Sequence, residues 1–411
     1  MHKLRELSPS VRQYLLITGN YWAFTLTDGA LRMLVVLHFH SLGYTPLEIA
    51  LLFVFYEAFG IVSNLLGGWF GAHFGLNKIM NVGLGLQVLA LSMLLLPAAM
   101  LTVPWVMGAQ ALSGIAKDLN KMSAKSSVKL LVPGDAQGTL YKWVSWLTGS
   151  KNALKGIGFF LGGALLASFG FKASIAVLAM ALALVWIASL AVLQKDLGKA
   201  KTKPKFAELL SKSRAINFLS AARLFLFGAR DVWFVVALPV YLGSELGWSH
   251  MTVGSCLAFW VIGYGAVQSL APSFTGKHSS KVPDGKTVFA WAAALTAVPT
   301  LIAFALMNEA RPELFLLGGL ALFGILFAVN SSMHSYLIVS YSGQDGISLD
   351  IGFYYMANAA GRLIGTVLSG FVYQQAGLEA CMLVSSVFLG MAALLTLFLP
   401  RHGREQNPEL Q

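Results

Sequence analysis

Charge is what this sequence has least of. Only 11% of its 411 residues are Asp, Glu, Lys or Arg, while 56% are hydrophobic types. Soluble domains carry about 25% charge. A soluble chain of this length would lack the polar material to cover its surface. A soluble enzyme, a disordered chain and a nucleic-acid-binding domain are therefore excluded. Cysteine is nearly absent too: Cys256 and Cys381 both lie in apolar segments, outside any CxxC or Cys/His cluster, and read as packing residues. No GxxxxGK[ST] phosphate loop, nucleophile elbow, zincin motif or zinc-site spacing occurs. No enzyme activity, cofactor or metal site is expected, and energy must come from a gradient or from a substrate. The period-two alternation of a barrel strand is missing as well.

What remains is long apolar runs, such as Ile175–Leu193 and Met382–Pro400. Runs of about twenty residues are the length a helix needs to cross a bilayer. The expected fold is an all-α integral membrane protein of twelve spans. These lie near 14–40, 46–71, 78–97, 101–124, 138–168, 172–194, 215–242, 249–274, 287–307, 312–337, 348–374 and 378–400. The first span is read as retained, because it is too long for a signal-peptide core. Lys195 to Arg214 is a basic stretch dividing the chain into two six-helix halves, 14–194 and 215–400, with a segment 1–13 before them and a tail 401–411 after. That stretch reads as a solvated linker or as an anionic-lipid site.

The halves repeat weakly. Leu42-Gly43-Tyr44-Thr45 aligns with Leu246-Gly247-Trp248-Ser249 at an offset of 204. The same offset pairs Tyr56 with Trp260 and Asn64 with Gln268, while Asp28 falls one residue out of register with Asp231. Two six-span halves joined by a long loop point to a secondary transporter of major-facilitator type. Cations also orient the spans. With both termini on one side, 20 Lys and Arg lie there, among them Lys3, Arg5, Lys78, Lys277, Lys281 and Arg404; only Lys172 and Arg311 lie opposite. Both termini are therefore expected in the cytoplasm.

Beyond the cations assigned to the two sides, seven remain inside the spans: Arg32, Lys142, Lys151, Lys155, Arg223, Arg230 and Arg362. The acids read with them are Asp28, Glu57 and Asp231. Each such charge costs about 2.5–3.5 kcal/mol at the membrane centre, so they must pair or line water. The acids cannot neutralise the cations, and the positive excess points to an anionic small-molecule substrate held by Arg forks and Lys point charges. Spacing supports this: Tyr21, Thr25, Asp28 and Arg32 share a helix face, as do Arg223, Phe227 and Arg230. Lys151 and Lys155 are one turn apart, as are Asn330 and His334, and Asn358 and Arg362. Candidate substrate-binding residues are Arg32, Lys151, Lys155, Arg223, Arg230, Arg362, Tyr21 and Asn358. Candidate proton-coupling residues are Asp28, Glu57, Asp231 and His334.

Bland readings stand beside these. Asp28–Arg32 reads equally as an intrahelical pair, and Asp231 as a neutraliser of Arg230 or Arg223. Glu57 reads as a partner for a base on another helix, and His334 as a packing residue. Lys117, Lys121, Lys125 and Lys129 form a basic ridge: the end of the fourth span, or an electropositive mouth. Gly156, Gly158, Gly162 and Gly163 permit close helix contact.

Three sets of residues carry a resemblance. Gly68, Gly75 and Lys78 match the major-facilitator signature loop GxLaDRxGRR, but Ala72 and His73 replace its Asp and Arg, so the charge-relay gating tied to that loop is not carried over. The stretches Asn20–Ser41, Gly114–Ser127 and Leu147–Ile157 resemble the organoarsenical efflux permeases of the ArsJ type. The resemblance implies proton-driven export of 1-arseno-3-phosphoglycerate by alternating access across a bacterial inner membrane, giving arsenate resistance. It implies glyceraldehyde-3-phosphate dehydrogenase as functional partner and membrane lipid as surroundings, with no nucleic acid. An organophosphate/phosphate antiporter is the alternative. A phosphate plus an arsenate group suits a cationic site, and no vicinal cysteine pair awaits trivalent arsenic.

Overall fold

The computed structural model describes residues 8–44, 52–194, 197–201, 210, 212–275, 282–308 and 312–401. Most of the basic linker falls outside these residues, as do Lys3, Arg5, Lys277, Lys281, Arg311 and Arg404. The described residues contain helices and no strand. In chain order the helices are α1 (Pro9–Ser41), α2 (Val54–Phe74), α3 (Leu76–Met93), α4 (Val103–Leu131), α5 (Gln137–Val192) and α6 (Arg214–Phe234). They continue as α7 (Ala237–Ser244), α8 (His250–Thr275), α9 (Gly285–Met307), α10 (Pro312–Tyr341) and α11 (Ile347–Thr396).

Local chemistry sets these limits. Ser8 caps α1 by accepting from the Val11 amide, with Pro9 pre-setting the first turn. Ser213 caps α6, and Asp284 caps α9 through the Thr287 amide at 2.9 Å. Expected spans five and six run as one 56-residue helix, α5, that turns where Gly170 adopts φ 71°. Spans eleven and twelve merge likewise in α11, turning at Ala376 and Gly377, the latter at φ 76°. Positive φ strains any residue with a Cβ, so glycine alone makes these turns without a loop. Expected span seven is divided between α6 and α7. The fourth span also outruns its expected end, since α4 continues to Leu131 and carries the whole lysine ridge.

Six helices are long and apolar enough to cross a membrane among the described residues, and α5 and α11 each have the length for two crossings. Helices α1 to α4 fall outside that group. Two of them, α1 and α4, bury Asn20, Asp28, Asp118, Asn120 and Lys125, so their polar content lowers the hydropathy where the charged clusters lie.

The chain forms two compact units, neither of them one stretch of sequence. The first holds 1–136, 150–211 and 342–356; the second holds 137–149, 212–341 and 357–411. In the first, α2 and α3 pack on α4. A Cβ on Gly29 would sit 2.8 Å from the Lys155 carbonyl, and one on Gly158 would sit 2.8 Å from that of Leu26. These glycines let α1 and α5 touch backbone to backbone, as the small-residue reading of Gly158 expects. The signature loop is tied down by the start of the linker. The Leu76 amide donates to Leu197 O and the Ala200 amide to Ala72 O, both at 2.8 Å, and the Lys201 amide donates to Asp345 Oδ1 at 2.9 Å. Backbone bonds thus engage the loop at the position where the signature's Asp is replaced by Ala72.

The second unit has an aromatic core. Trp233 lies edge-on to Phe323 at 5.0 Å and to Trp260 at 5.8 Å, and Tyr264 stacks parallel to Trp260. Such pairs contribute about 0.5–1.5 kcal/mol beyond their buried area. In the same unit Ser145 and Ser332 share a hydrogen bond, and Tyr141 reaches Thr275 at 2.8 Å. Small residues and hydroxyls hold these helices together where apolar side chains cannot distinguish protein from lipid.

Candidate functional site

Each unit carries its own cationic cluster. In the first, the face of α1 read from the sequence is real. Tyr21 and Asp28 are buried, and the Thr25 hydroxyl folds back onto Tyr21 O at 2.7 Å. The Asp28 carboxylate is met from two other helices. Tyr56 of α2 donates its hydroxyl at 2.9 Å to either oxygen, and Ser113 of α4 donates at 3.4 Å. Arg32, one turn further on, reaches Glu57 at 3.3 Å. Lys117 approaches the other oxygen of Glu57 at 3.9 Å. Glu57 is therefore a partner of bases on two other helices, the reading set beside its proton-exchanging role.

Tyr56 organises this cluster. The Arg32 guanidinium lies 4.3 Å from its ring centroid and the Lys117 ammonium 3.8 Å. Both cations thus gain from the ring face while the hydroxyl serves Asp28. The remaining lysines of the ridge continue along α4. Lys121 pairs with buried Asp118 at 2.7 Å, and Ser63 donates to the same carboxylate at 2.9 Å. Lys121 and Lys125 lie over the Tyr355 ring at 4.4 and 5.2 Å, and Lys129 donates to Ser342 O. On α5, Lys151 donates to Asn152 at 3.2 Å and Lys155 stands 5.9 Å from the Phe159 ring.

In the second unit Arg223 is 3% exposed. Its Nε donates to Asn358 Oδ1 at 2.9 Å, and Nη1 donates to the hydroxyl and carbonyl of Ser331 at 3.2 and 3.3 Å. Gln268 donates to the same hydroxyl at 3.1 Å. The guanidinium lies 3.9 Å from the Phe227 ring, with Arg230 5.0 Å from the same ring, so the predicted shared face of α6 is present. Next to Arg230, one turn beyond Phe227, lies Asp231, fully buried. It accepts from Arg230 Nε at 2.6 Å through one oxygen and from Arg362 Nε at 3.0 Å through the other. Asp231 thus neutralises Arg230, as one sequence reading has it, and bridges it to Arg362. Three arginines share this cluster with that aspartate, so it keeps a positive excess.

Asn330 and His334 part company despite their spacing. Asn330 donates to Trp291 O and Leu326 O at 3.0 and 2.9 Å, which ties it to backbone. His334 is buried, and its Nδ1 has no hydrogen-bond partner among the described residues. Among those residues no group of three or more His, Cys, Asp or Glu is placed to hold a metal ion.

The profile of the Major Facilitator Superfamily matches residues 15–262 and, a second time, 219–411. The chain belongs to the major facilitator superfamily. It is therefore a membrane-spanning secondary transporter of small molecules. Solved members share its fold. The human organic anion transporter MFSD10 (TETRAN) superposes with a TM-score of 0.75 at 16% identity, covering 95% of this chain and 100% of its own. The E. coli fucose:proton symporter FucP gives 0.75 at 12%, covering 95% and 99%. A bacterial homologue of the iron transporter ferroportin, in an outward-facing state, gives 0.71 at 14%, covering 94% and 98%. At such identities they establish the fold alone. Among curated proteins none matches the chain.

Within this major-facilitator chain, sequence reading missed several participants. Lys117 was assigned to the ridge, but it turns to Glu57 and Tyr56. Tyr56 stood out only as a repeat position. Ser113 and Ser331 gave no signal, because a lone serine in an apolar helix is common.

Proposed function

We propose that this transporter exports an organic arsenate ester, 1-arseno-3-phosphoglycerate, and so confers arsenate resistance. The observation that carries the anionic part is Arg223, a guanidinium almost wholly buried and oriented by Asn358 and Ser331 beside the Arg230–Asp231–Arg362 bridge. A buried positive excess favours a multiply charged anion, and an arginine fork suits the oxygens of phosphate, arsenate or carboxylate. In the second unit Arg223 and Asn358 are the proposed substrate contacts, with Arg230 and Arg362 setting the field. In the first unit Tyr21, Arg32, Lys151 and Lys155 are proposed for the same role. The arsenical identity rests on the likeness of Asn20–Ser41, Gly114–Ser127 and Leu147–Ile157 to ArsJ-type permeases.

In this reading the two six-helix halves, 14–194 and 215–400, operate by alternating access in a bacterial inner membrane, and the cation census places both termini in the cytoplasm. Glyceraldehyde-3-phosphate dehydrogenase supplies the ester from arsenate. Proton coupling falls to Asp28 first. Its carboxyl is buried and held by hydroxyl donors, which serve a protonated or an ionised carboxyl alike. Asp231, bridged by two guanidiniums, fits a fixed counter-charge better.

Everted vesicles test this. Arsenate, glyceraldehyde 3-phosphate, NAD and the dehydrogenase are placed outside and a proton gradient is imposed. Dehydrogenase-dependent arsenic uptake that an uncoupler collapses is expected, and Arg223→Gln is expected to lower it at least tenfold. Uptake that ignores the uncoupler but needs internal phosphate would replace the reading with an organophosphate/phosphate antiporter. No dehydrogenase-dependent uptake by inserted protein would remove the proposed substrate.

A further inference from the structure

Glu57 sits where an anion would be expected to bind. Its two carboxylate oxygens face two cations on two other helices, Arg32 at 3.3 Å and Lys117 at 3.9 Å. The Lys117 distance is long for a charge-assisted contact, which normally closes to about 2.7–2.9 Å. The three side chains remain partly open: Glu57 is 32% exposed, Arg32 23% and Lys117 15%. The group that joins the two cations is therefore partly open and not sealed in the interior.

The cations do not depend on Glu57 for their positions. Both lie against the Tyr56 ring, and Tyr56 is pinned by its hydroxyl to Asp28 and is itself buried. If the Glu57 carboxylate swung away, Arg32 and Lys117 would stay gathered at one ring with one carboxylate fewer beside them, which raises the local positive charge. An oxyanion of the phosphate, arsenate or carboxylate class has the charge and the acceptor oxygens to fill that place.

We propose that Glu57 is a resident anion, which occupies the Arg32–Lys117 site when no substrate is bound and is displaced from it by an acid group of the transported anion. This rests on the anion-transport reading above and adds Lys117 and Tyr56 to the residues that shape the site. Glu57 then keeps the two cations compatible in the empty transporter, and it sets a threshold that only a well-coordinating anion overcomes. A neutral or cationic solute cannot displace it.

Binding measured by calorimetry on the purified full-length protein tests this, with 3-phosphoglycerate and inorganic phosphate as probes. Removing the competitor by Glu57→Gln is expected to tighten 3-phosphoglycerate binding roughly threefold to thirtyfold, the range set by two partly exposed ion pairs. Glu57→Asp, whose shorter arm holds the cations less well, is expected to give a smaller tightening. Lys117→Gln is expected to weaken binding both alone and in the Glu57→Gln background. Unchanged or weaker binding in Glu57→Gln, with binding still lost in Arg223→Gln, would overturn the resident-anion role and leave the anion-transport reading intact. No binding of either probe by the wild type and Glu57→Gln proteins would overturn both.

Discussion

Two acids in this transporter each hold two cations, and they hold them differently. Asp231 lies in the second unit at 0% exposure, with Arg230 at 2.6 Å on one oxygen and Arg362 at 3.0 Å on the other. Glu57 lies in the first unit with a third of its side chain open, at 3.3 and 3.9 Å from Arg32 and Lys117. The sequence repeat does not relate them: at its offset of 204, Glu57 falls on Val261, Arg32 on Val236 and Lys117 on Ala321. At that offset none of the three charges of the Glu57 group has a charged counterpart. Burial decides what each group is for. A sealed bridge fixes structure, because opening it strands charge in a dry interior. An open bridge can exchange partners, because water and dissolved ions compete for each end.

The comparison breaks most visibly at Asp231. Asp231→Asn leaves Arg230 and Arg362 facing each other without the carboxylate. The expected loss is about 3–5 kcal/mol, the effect of removing one partner of a buried ion pair. Thermal unfolding in detergent micelles, with the yield of inserted protein, measures it. A loss near zero would mean that the bridge is not sealed and that Asp231 belongs with Glu57.

How far the sequence shows this contrast can be followed residue by residue. From α5 onward helix positions were legible because apolar runs of membrane length are plain, and the helix turns coincide with Gly170 and Gly377; α1 to α4, whose polar residues lower their hydropathy, were less so. The charged candidates were legible for the opposite reason: each is costly in an apolar helix and stands out. Their pairings were not. Glu57 meets bases 25 residues before it and 60 after it in the chain, and no spacing rule links three helices. Asp231 was partly legible because Arg230 adjoins it, while Arg362 arrives from α11. The break between α6 and α7 was missed although Pro239 signals it: proline cannot donate the helical bond to the carbonyl four residues back, that of Val235. Lys117 looked like one step of a ridge because a sequence shows which helix face a lysine shares and not the neighbour that face meets.

Tyr56 offers a middle-sized test, since it serves both a buried acid and the exposed pair. Tyr56→Phe keeps the ring under Arg32 and Lys117 but removes the donor shared by both oxygens of Asp28. The expected loss is about 1.5–3 kcal/mol, the magnitude of a hydrogen bond to a charged group, read as a lowered unfolding temperature. Anion binding through the first unit's cations should change little, because the ring face is retained. Tyr56→Leu removes both functions and should weaken binding as well. Equal effects of the two variants on binding would mean that the ring face does not position the cations.

The smallest expected effect on stability is the one that separates the two acids most sharply. Glu57→Gln should change the unfolding free energy by only about 0–1 kcal/mol, since its ion pairs are partly exposed and water compensates their loss. The same variant is the one expected to alter anion binding, so stability and binding move independently at Glu57. At Asp231 they should move together, because a bridge that holds the helices also holds the arginines. Raising the salt concentration sharpens this further. Screening reaches exposed pairs and spares buried ones, so the binding gain from Glu57→Gln should shrink with salt while the Asp231→Asn stability loss stays constant. A salt-independent gain at Glu57 would place its pairing among the sealed bridges and remove the distinction between the two sites.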